Sequence, residues 1–417
     1  MAKRIVLAVW GSLGDLYPYL AIACELQSRG HHCVIATHYL ARPRVEAAGL
    51  EFAPMGPHLA PDPEAMKKAM HLRRGPRYLL RDVVLPYMPL SFEETMRAIA
   101  GADLLITHPI AYGAQIAAEK SGIRWASTTL APMGFMSVHD SSLHRQSPAL
   151  ARLKTVGPLL DRVVLRYARW ATASWVRPAR QLRAQLGLPL RASPIFEGQF
   201  SPTLTLALFS SLFGQPQPDW PPNTVITGFP FYRESAGHPP ELCDFLDAGP
   251  PPVIFTLGSS ASAVPGSFFE QSLGAIRRVG RRAILIVGEF APNVLPHPLP
   301  PNVAVFPYAP YSELFPHAAV NVHQGGIGTT AEALRAGRPM LVVPFAFDQP
   351  DNAARAVQLG VARSLSINRY TASGAARELE QLLHDASYAG NAAAVGARIR
   401  AEDGIGAACR EVEKLLE

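Results

Sequence analysis

The 417-residue chain exceeds what one core ordinarily serves, and at roughly 100–200 residues per domain it implies two lobes. Apolar residues at 48% and charged residues at 17% exclude intrinsic disorder. A net charge of +6, carried by lysines and arginines dispersed in no long basic run, excludes the footprint of a nucleic-acid binder and suits a basic cleft for phosphate.

Met1-Ala-Lys-Arg leads straight into Ile5-Val-Leu-Ala-Val-Trp10, an apolar run too short for a signal segment. No window approaches the ~20 apolar residues that cross a bilayer. The expectation is a cytoplasmic protein with room for contact at a membrane surface. Residues 5–10 read as a strand, Gly11-Ser-Leu-Gly-Asp15 as a tight loop, and residues 16–29 as a helix stopped by Gly30. Residues 32–37, 102–107 and 125–130 read as further strands, with a helix over 111–121. Strands alternating with helices imply a parallel sheet. Residues 60–87 and 133–175 are less regular, and either line a substrate cleft or complete the first lobe as surface helices.

The second half repeats the theme. A strand over 252–257 ends at Gly258-Ser259-Ser260, followed by a helix over 268–279 and strands over 283–287, 303–306, 319–322 and 340–343. The Pro- and Gly-rich residues 228–252 mark the boundary. The expected fold is α/β: two doubly wound Rossmann-like domains facing across a cleft, residues 1–232 and 233–417, with the terminal helix packing back on the first. Cys24, Cys33, Cys243 and Cys409 show no CxxC or metal-ligand spacing and read as reduced core residues.

The most specific pattern is His323-Gln-Gly-Gly-Ile-Gly-Thr-Thr-Ala-Glu332, between a strand and a helix, followed by Gly337, Pro339, Pro344, Asp348-Gln349 and Asn352. Glycines let a backbone approach phosphate closely, and a helix starting near Thr329 offers N–H groups to an anion. Each piece has a plainer reading. Gly325, Gly326 and Gly328 could merely make a turn, and His323 could be a satisfied buried histidine. The joint pattern is what chance rarely supplies. Asp15 ends the first loop, where open α/β sheets bind ligands; it could equally be a helix N-cap. No Asp-x-Asp pair and no clustered His, Cys and Asp set suggests a metal.

Residues 308–318 together with 323–352 resemble the nucleotide-sugar signature of family 1 glycosyltransferases. Gly11-Ser-Leu-Gly-Asp15 with Pro18 is similar to the opening loop of the sterol, glycopeptide-antibiotic and rhamnolipid branches. Asp219-Trp220-Pro221 with Thr227-Gly228-Phe229-Pro230 looks most like the rhamnosyltransferases of the rhamnolipid branch. The resemblance implies the GT-B fold and a nucleotide diphosphate sugar as co-substrate, with no further cofactor.

It also implies roles. Tyr308 would stack on the pyrimidine, Glu332 hold the ribose hydroxyls, and Asp348 and Gln349 bind sugar hydroxyls. Gly14, Gly258 and Ser259 would lie near the diphosphate with Gln324, Gly325, Gly326, Gly328 and Thr329. The phosphate-binding His of plant members falls on Gln324, with His323 one residue earlier, so either the imidazole reaches the diphosphate by a local shift or Gln324 and the glycine amides serve alone. Asp15 corresponds to the general base, and His108 in Thr107-His108-Pro109 is a helper or rival base.

The resemblance implies an inverting transfer of rhamnose or glucose from a dTDP- or UDP-sugar to a hydroxyl of a small hydrophobic acceptor, with Met88, Met133 and Phe135 as candidate pocket residues that could equally be core. A nucleotide-sugar epimerase or a non-catalytic binding protein of the same fold is the alternative. A dinucleotide oxidoreductase is disfavoured, because Gly11-Ser-Leu-Gly14 is not GxGxxG.

Overall fold

The structure is a computed structural model that describes residues 2–56, 62–71, 74–142, 157–190, 193–234, 237, 239–288, 295 and 298–417. Parts of the two irregular stretches and of the boundary region, residues 60–61, 72–73, 143–156, 235–236 and 238, lie outside the described residues. The chain divides into two compact units. The first comprises Met1–Asp62, Pro76–Tyr232 and Asp403–Glu417, the second Pro63–Gly75 and Arg233–Glu402.

Unit 1 is built on a seven-stranded sheet in the order β3-β2-β1-β4-β5-β6-β7. Its strands are β1 Arg4–Ala8, β2 His32–Thr37, β3 Glu51–Pro54, β4 Leu104–Thr107, β5 Arg124–Thr129, β6 Thr205–Ala207 and β7 Thr224–Ile226. Every pairing is parallel. Ile5 through Ala8 are buried on both faces, which is why β1 reads as a continuous apolar run rather than an alternation. The helices used below are α1 Leu13–Ser28, α2 Pro63–Ala69, α3 Met88–Ala98, α4 Tyr112–Ser121, α5 Gly157–Thr172 and α6 Arg177–Gln185.

Unit 2 carries a six-stranded parallel sheet in the order β10-β9-β8-β11-β12-β13. The strands are β8 Val253–Thr256, β9 Ala283–Ile286, β10 Val303–Phe306, β11 Val320–His323, β12 Met340–Val342 and β13 Ala362–Ser364. Helix α7 Ile327–Ala336 follows β11, and α8 Gln349–Gln358 follows β12. Both units are thus doubly wound and Rossmann-like. The order in which strands are added reverses between β1 and β4 in the first, and between β8 and β11 in the second. Open α/β sheets bind ligands at the carboxyl ends of strands beside such a reversal.

The terminal helix, α9 Gly404–Lys414, belongs to unit 1. The Cys409 thiol donates to the Ile22 carbonyl of α1 at 3.7 Å, Arg29 pairs with Glu413 at 2.9 Å, and Arg124 donates to the Leu415 carbonyl at 2.6 Å. Gly404 admits this approach, since a Cβ there would stand 2.5 Å from the Phe229 carbonyl oxygen.

One segment departs from the expected division at 1–232. Residues 63–75 join unit 2, because Met70 is buried in its hydrophobic core and Met66 packs against the same cluster. Cys243, expected in the core, is exposed. No described helix is long and apolar enough to cross a membrane.

Candidate active site

The loop after β1 places Asp15 at the third position of α1. Ser12, not Asp15, is the N-cap, and the two form a capping box. One carboxylate oxygen, Oδ2, accepts from the Ser12 N–H at 2.7 Å and from its hydroxyl at 2.9 Å. Gly11 makes this close turn possible: its φ is +145°, and a Cβ there would lie 2.3 Å from Asp15 Oδ2. His38 at the end of β2 donates from Nε2 to the Gly11 carbonyl at 2.9 Å and so braces the loop from the neighbouring strand.

The other oxygen, Oδ1, stands 3.4 Å from His108 Nε2 at the end of β4. His108 is buried, and its Nδ1 accepts from the Ile110 N–H at 3.4 Å, which leaves Nε2 to carry the proton that faces Asp15. Burial raises the Asp15 carboxyl, but the bonds from His108 and Ser12 outweigh it and hold the group below its ordinary value. The side chain remains 30% exposed. An ionised carboxylate, anchored on one oxygen and open to solvent, can accept a proton from an incoming hydroxyl. Behind the pair, the Tyr19 ring lies 5.9 Å from His108, and its hydroxyl bonds Thr128 of β5.

In unit 2 the structure separates His323 from Gln324. His323 ends β11 fully buried, with Nδ1 accepting from the Gly325 N–H at 3.1 Å. Burial drives the imidazole down to about 3, so it is neutral and props the glycine turn from within. Its Nε2 has no hydrogen-bond partner among the described residues.

The Gln324 carboxamide lies instead in a cradle of loop backbone, donating to Thr329 Oγ1 at 3.4 Å. A Cβ on Gly258, which has φ +63°, would sit 2.3 Å from Gln324 Nε2, and one on Gly326 would sit 3.0 Å from it. The structure therefore brings Gly258, Gln324, Gly326 and Thr329 together across the β8–β11 reversal. Helix α7 starts at Ile327 with Gly326 as N-cap, two residues earlier than the sequence suggests. Its first turn, which includes Gly328, presents N–H groups without helical acceptors. Gly14 occupies the corresponding first turn of α1 in unit 1.

Asn352, which spacing singles out without giving it a role, acquires one here. Its Nδ2 donates to the Gly325 carbonyl at 2.9 Å and to Asp348 Oδ2 at 2.7 Å, tying the glycine turn to the loop after β12. Gln349 uses Oε1 to accept from the Phe345 and Ala346 N–H groups at 2.8 and 3.0 Å, fixing its carboxamide against the loop after β12. Phe347, just before Asp348, is held at φ 57°, a conformation costly for a non-glycine residue and often found beside ligands.

Ser259 is exposed in the short helix Gly258–Ala261. Tyr308 donates its hydroxyl to Glu234. Glu332 pairs with Arg335 at 3.1 Å; burial pushes its carboxyl up to about 7 against the pull of that arginine.

The acceptor candidates part company. Met88 is buried in the unit 1 core, beside a hollow of about 20 Å³, room for about one water. Phe135 lines a hollow of about 500 Å³ with Met136, Phe196, Phe200 and Trp220. It stacks on Trp220 at 4.0 Å and on Phe200 at 5.6 Å. Met133 is half-buried in the same 3₁₀ turn, and Met136 next to it takes φ 49°. This turn follows β5, so the hollow lies on the same carboxyl edge of the sheet as Asp15. Among the described residues, no three His, Cys, Asp or Glu side chains gather as a metal-binding set.

Two Rossmann-like units, each with a loop site at its sheet reversal, are the GT-B architecture, and known proteins carry the same arrangement. Residues 5–132 match the glycosyltransferase family 28 N-terminal domain, and residues 271–415 match the C-terminal domain of erythromycin biosynthesis protein CIII-like proteins. The chain is 33% identical to O-mycaminosyltylonolide 6-deoxyallosyltransferase of Streptomyces fradiae over 433 residues, covering 99% of this chain and 98% of the relative. It is 27% identical to a sterol 3-beta-glucosyltransferase of Arabidopsis thaliana, over 83% of this chain and 57% of that one.

Among solved structures, a kitacinnamycin glycotransferase superposes with a TM-score of 0.75 at 22% identity, covering 100% of both chains. The spinosyn rhamnosyltransferase SpnG complexed with thymidine diphosphate does so at 0.67 and 18%, covering 99% of this chain and 100% of that one. The chain is a glycosyltransferase, and it belongs to family 1 of these enzymes.

Proposed function

We propose that the chain moves a hexose or deoxyhexose, rhamnose or glucose, from a dTDP- or UDP-sugar to a hydroxyl of a small hydrophobic acceptor such as a polyketide, polyphenol or lipid, with inversion at the anomeric carbon. The observation that carries this reading is the Asp15–His108 pair at the β1–β4 reversal. Asp15 takes the proton of the acceptor hydroxyl while its oxygen bonds C1 of the donor; the C1–oxygen bond to the diphosphate breaks, and the nucleoside diphosphate leaves with the electron pair.

Negative charge on the leaving diphosphate meets the first-turn N–H groups of α7 and the Gln324 carboxamide, which stabilise it as preorganised dipoles. Gly258 and Ser259 flank that position. Tyr308 stacks on the pyrimidine, Glu332 accepts from the ribose hydroxyls, and Asp348 with the Nε2 of Gln349 holds the sugar. The aromatic hollow beside Phe135 suits an apolar aglycone.

Two findings favour a dTDP-deoxyhexose over UDP-glucose. The full-length Streptomyces relative is named for deoxyallosyl transfer, and the spinosyn rhamnosyltransferase neighbour was solved with thymidine diphosphate. The sterol glucosyltransferase relative keeps glucose and a lipid acceptor in the test. That test is a matrix of dTDP- and UDP-sugars against macrolide, flavonoid and sterol acceptors, read by product mass. Donor hydrolysis or epimerisation without any glycosylated product would overturn the reading.

A further inference from the structure

Helix α5 turns its apolar face away from the protein. At about 100° per residue, Pro158, Asp161, Leu165, Ala168 and Thr172 form one seam. That seam meets unit 1: Asp161 is buried, and Leu165 and Ala168 pack against its core. On the opposite side Leu159, Leu160, Val163, Val164, Tyr167 and Trp170 stand in solvent, with Val163 64%, Tyr167 65% and Trp170 73% exposed. The Tyr167 and Trp170 rings lie 5.7 Å apart and make a continuous aromatic ridge. An outward apolar stripe of this breadth marks a surface that meets something else.

The charges beside the stripe say what that is. Arg162, Arg166 and Arg169 follow one flank of α5, and α6 adds the exposed Arg177 and Arg180. Asp161, the sole acidic residue in 157–185, lies in the buried seam. Arg169 is paired with Glu197, but Arg162, Arg166, Arg177 and Arg180 have no carboxylate partner among the described residues. Part of the chain's basic surplus is therefore concentrated along one edge of this outward apolar stripe. A stripe of Leu, Val, Tyr and Trp flanked by arginines, with no exposed acid on α5 or α6 themselves, complements an anionic bilayer surface: the aromatic ridge enters the headgroup boundary while the arginines reach lipid phosphates.

We propose that α5 is an interfacial helix that seats the protein on anionic phospholipid bilayers. The test uses the full chain, sedimented with vesicles of phosphatidylcholine alone or mixed with phosphatidylglycerol. Binding at least tenfold tighter to the anionic vesicles, weakened by salt, is expected. The triple variant Val163→Asp, Tyr167→Asp, Trp170→Asp should lose binding at least tenfold, and Arg166→Gln about fivefold. Both should keep the wild-type melting curve and transfer to a water-soluble acceptor, because none of these residues lines the hollow or touches Asp15. Absent or equal binding to the two vesicle types overturns the proposal. So does a light-scattering result in which the stripe holds two copies together and the triple variant, now monomeric, still binds vesicles as wild type does.

Discussion

At the end of β1 a carboxylate meets an imidazole with part of the pair open to solvent, whereas the groups bonded around the glycine turn at the end of β11 are neutral: an imidazole discharged by burial, a carboxamide, a threonine hydroxyl and backbone amides. Two sheet reversals of the same kind thus carry opposite electrostatics. A proton can move at the first. At the second, on the proposed reading, an anion would meet dipoles whose strength does not change with pH, while the carboxylates Glu332 and Asp348 would face hydroxyls rather than the phosphate.

The largest expected effect lies at the first reversal. Asp15→Asn keeps an oxygen for the Ser12 cap but removes the base, so kcat should fall by about 10²- to 10⁴-fold while calorimetry finds donor affinity unchanged. A near-normal kcat would break the contrast. His108→Ala should cost about tenfold and move the acid limb of kcat/KM to higher pH, since His108 helps hold the Asp15 carboxyl down. A uniform loss at all pH values would reduce His108 to a packing role.

At the second reversal, Gly258→Ala places a methyl 2.3 Å from Gln324 Nε2 and forces a left-handed backbone on alanine, at roughly 1–2 kcal/mol. Donor affinity should drop about tenfold with the acid limb of kcat unmoved. Changes at His323 should register as stability instead: His323→Ala empties a fully buried site and should cost about 1–3 kcal/mol in denaturant melts.

The smallest effect is at Glu332. Its folded-state value of about 7 lies above the ordinary 4.5, so the stability tied to its proton is full below 4.5 and is lost as pH rises through about 7. The melting temperature of wild type should decline over that window more than that of Glu332→Gln. Donor affinity should run the other way, rising as the carboxylate forms. Parallel curves for the two proteins would remove Glu332 from the account.

Much of this was legible in the chain. Residues 5–8 are a strand because an unbroken apolar run between turn residues has no other place than the middle of a parallel sheet. The glycine turn announced itself by composition. Which of His323 and Gln324 turns toward Gly258 was not legible, because side chains alternate along a strand and the last paired residue decides the face. The Asp15–His108 approach joins strands that are adjacent only through the sheet order, so no local pattern encodes it. Residues 63–75 cross to unit 2 through two methionines, too few to bias a reading of periodicity. Helix α5 lies in a stretch whose pattern reads as irregular, because its outward face is as apolar as a core-facing one and blurs the usual contrast between faces.

Asp15 also has a second employment that constrains what evolution can do with it. Its carboxylate completes the start of α1, bonding the Ser12 N–H and hydroxyl on the oxygen that His108 does not face. Imidazole at this place would satisfy the proton chemistry but could not accept both of those bonds, so the helix start would fray unless Ser12 and Gly11 changed with it. On the proposed mechanism, exchange of this carboxylate for a histidine base would therefore require the concerted replacement of a whole turn.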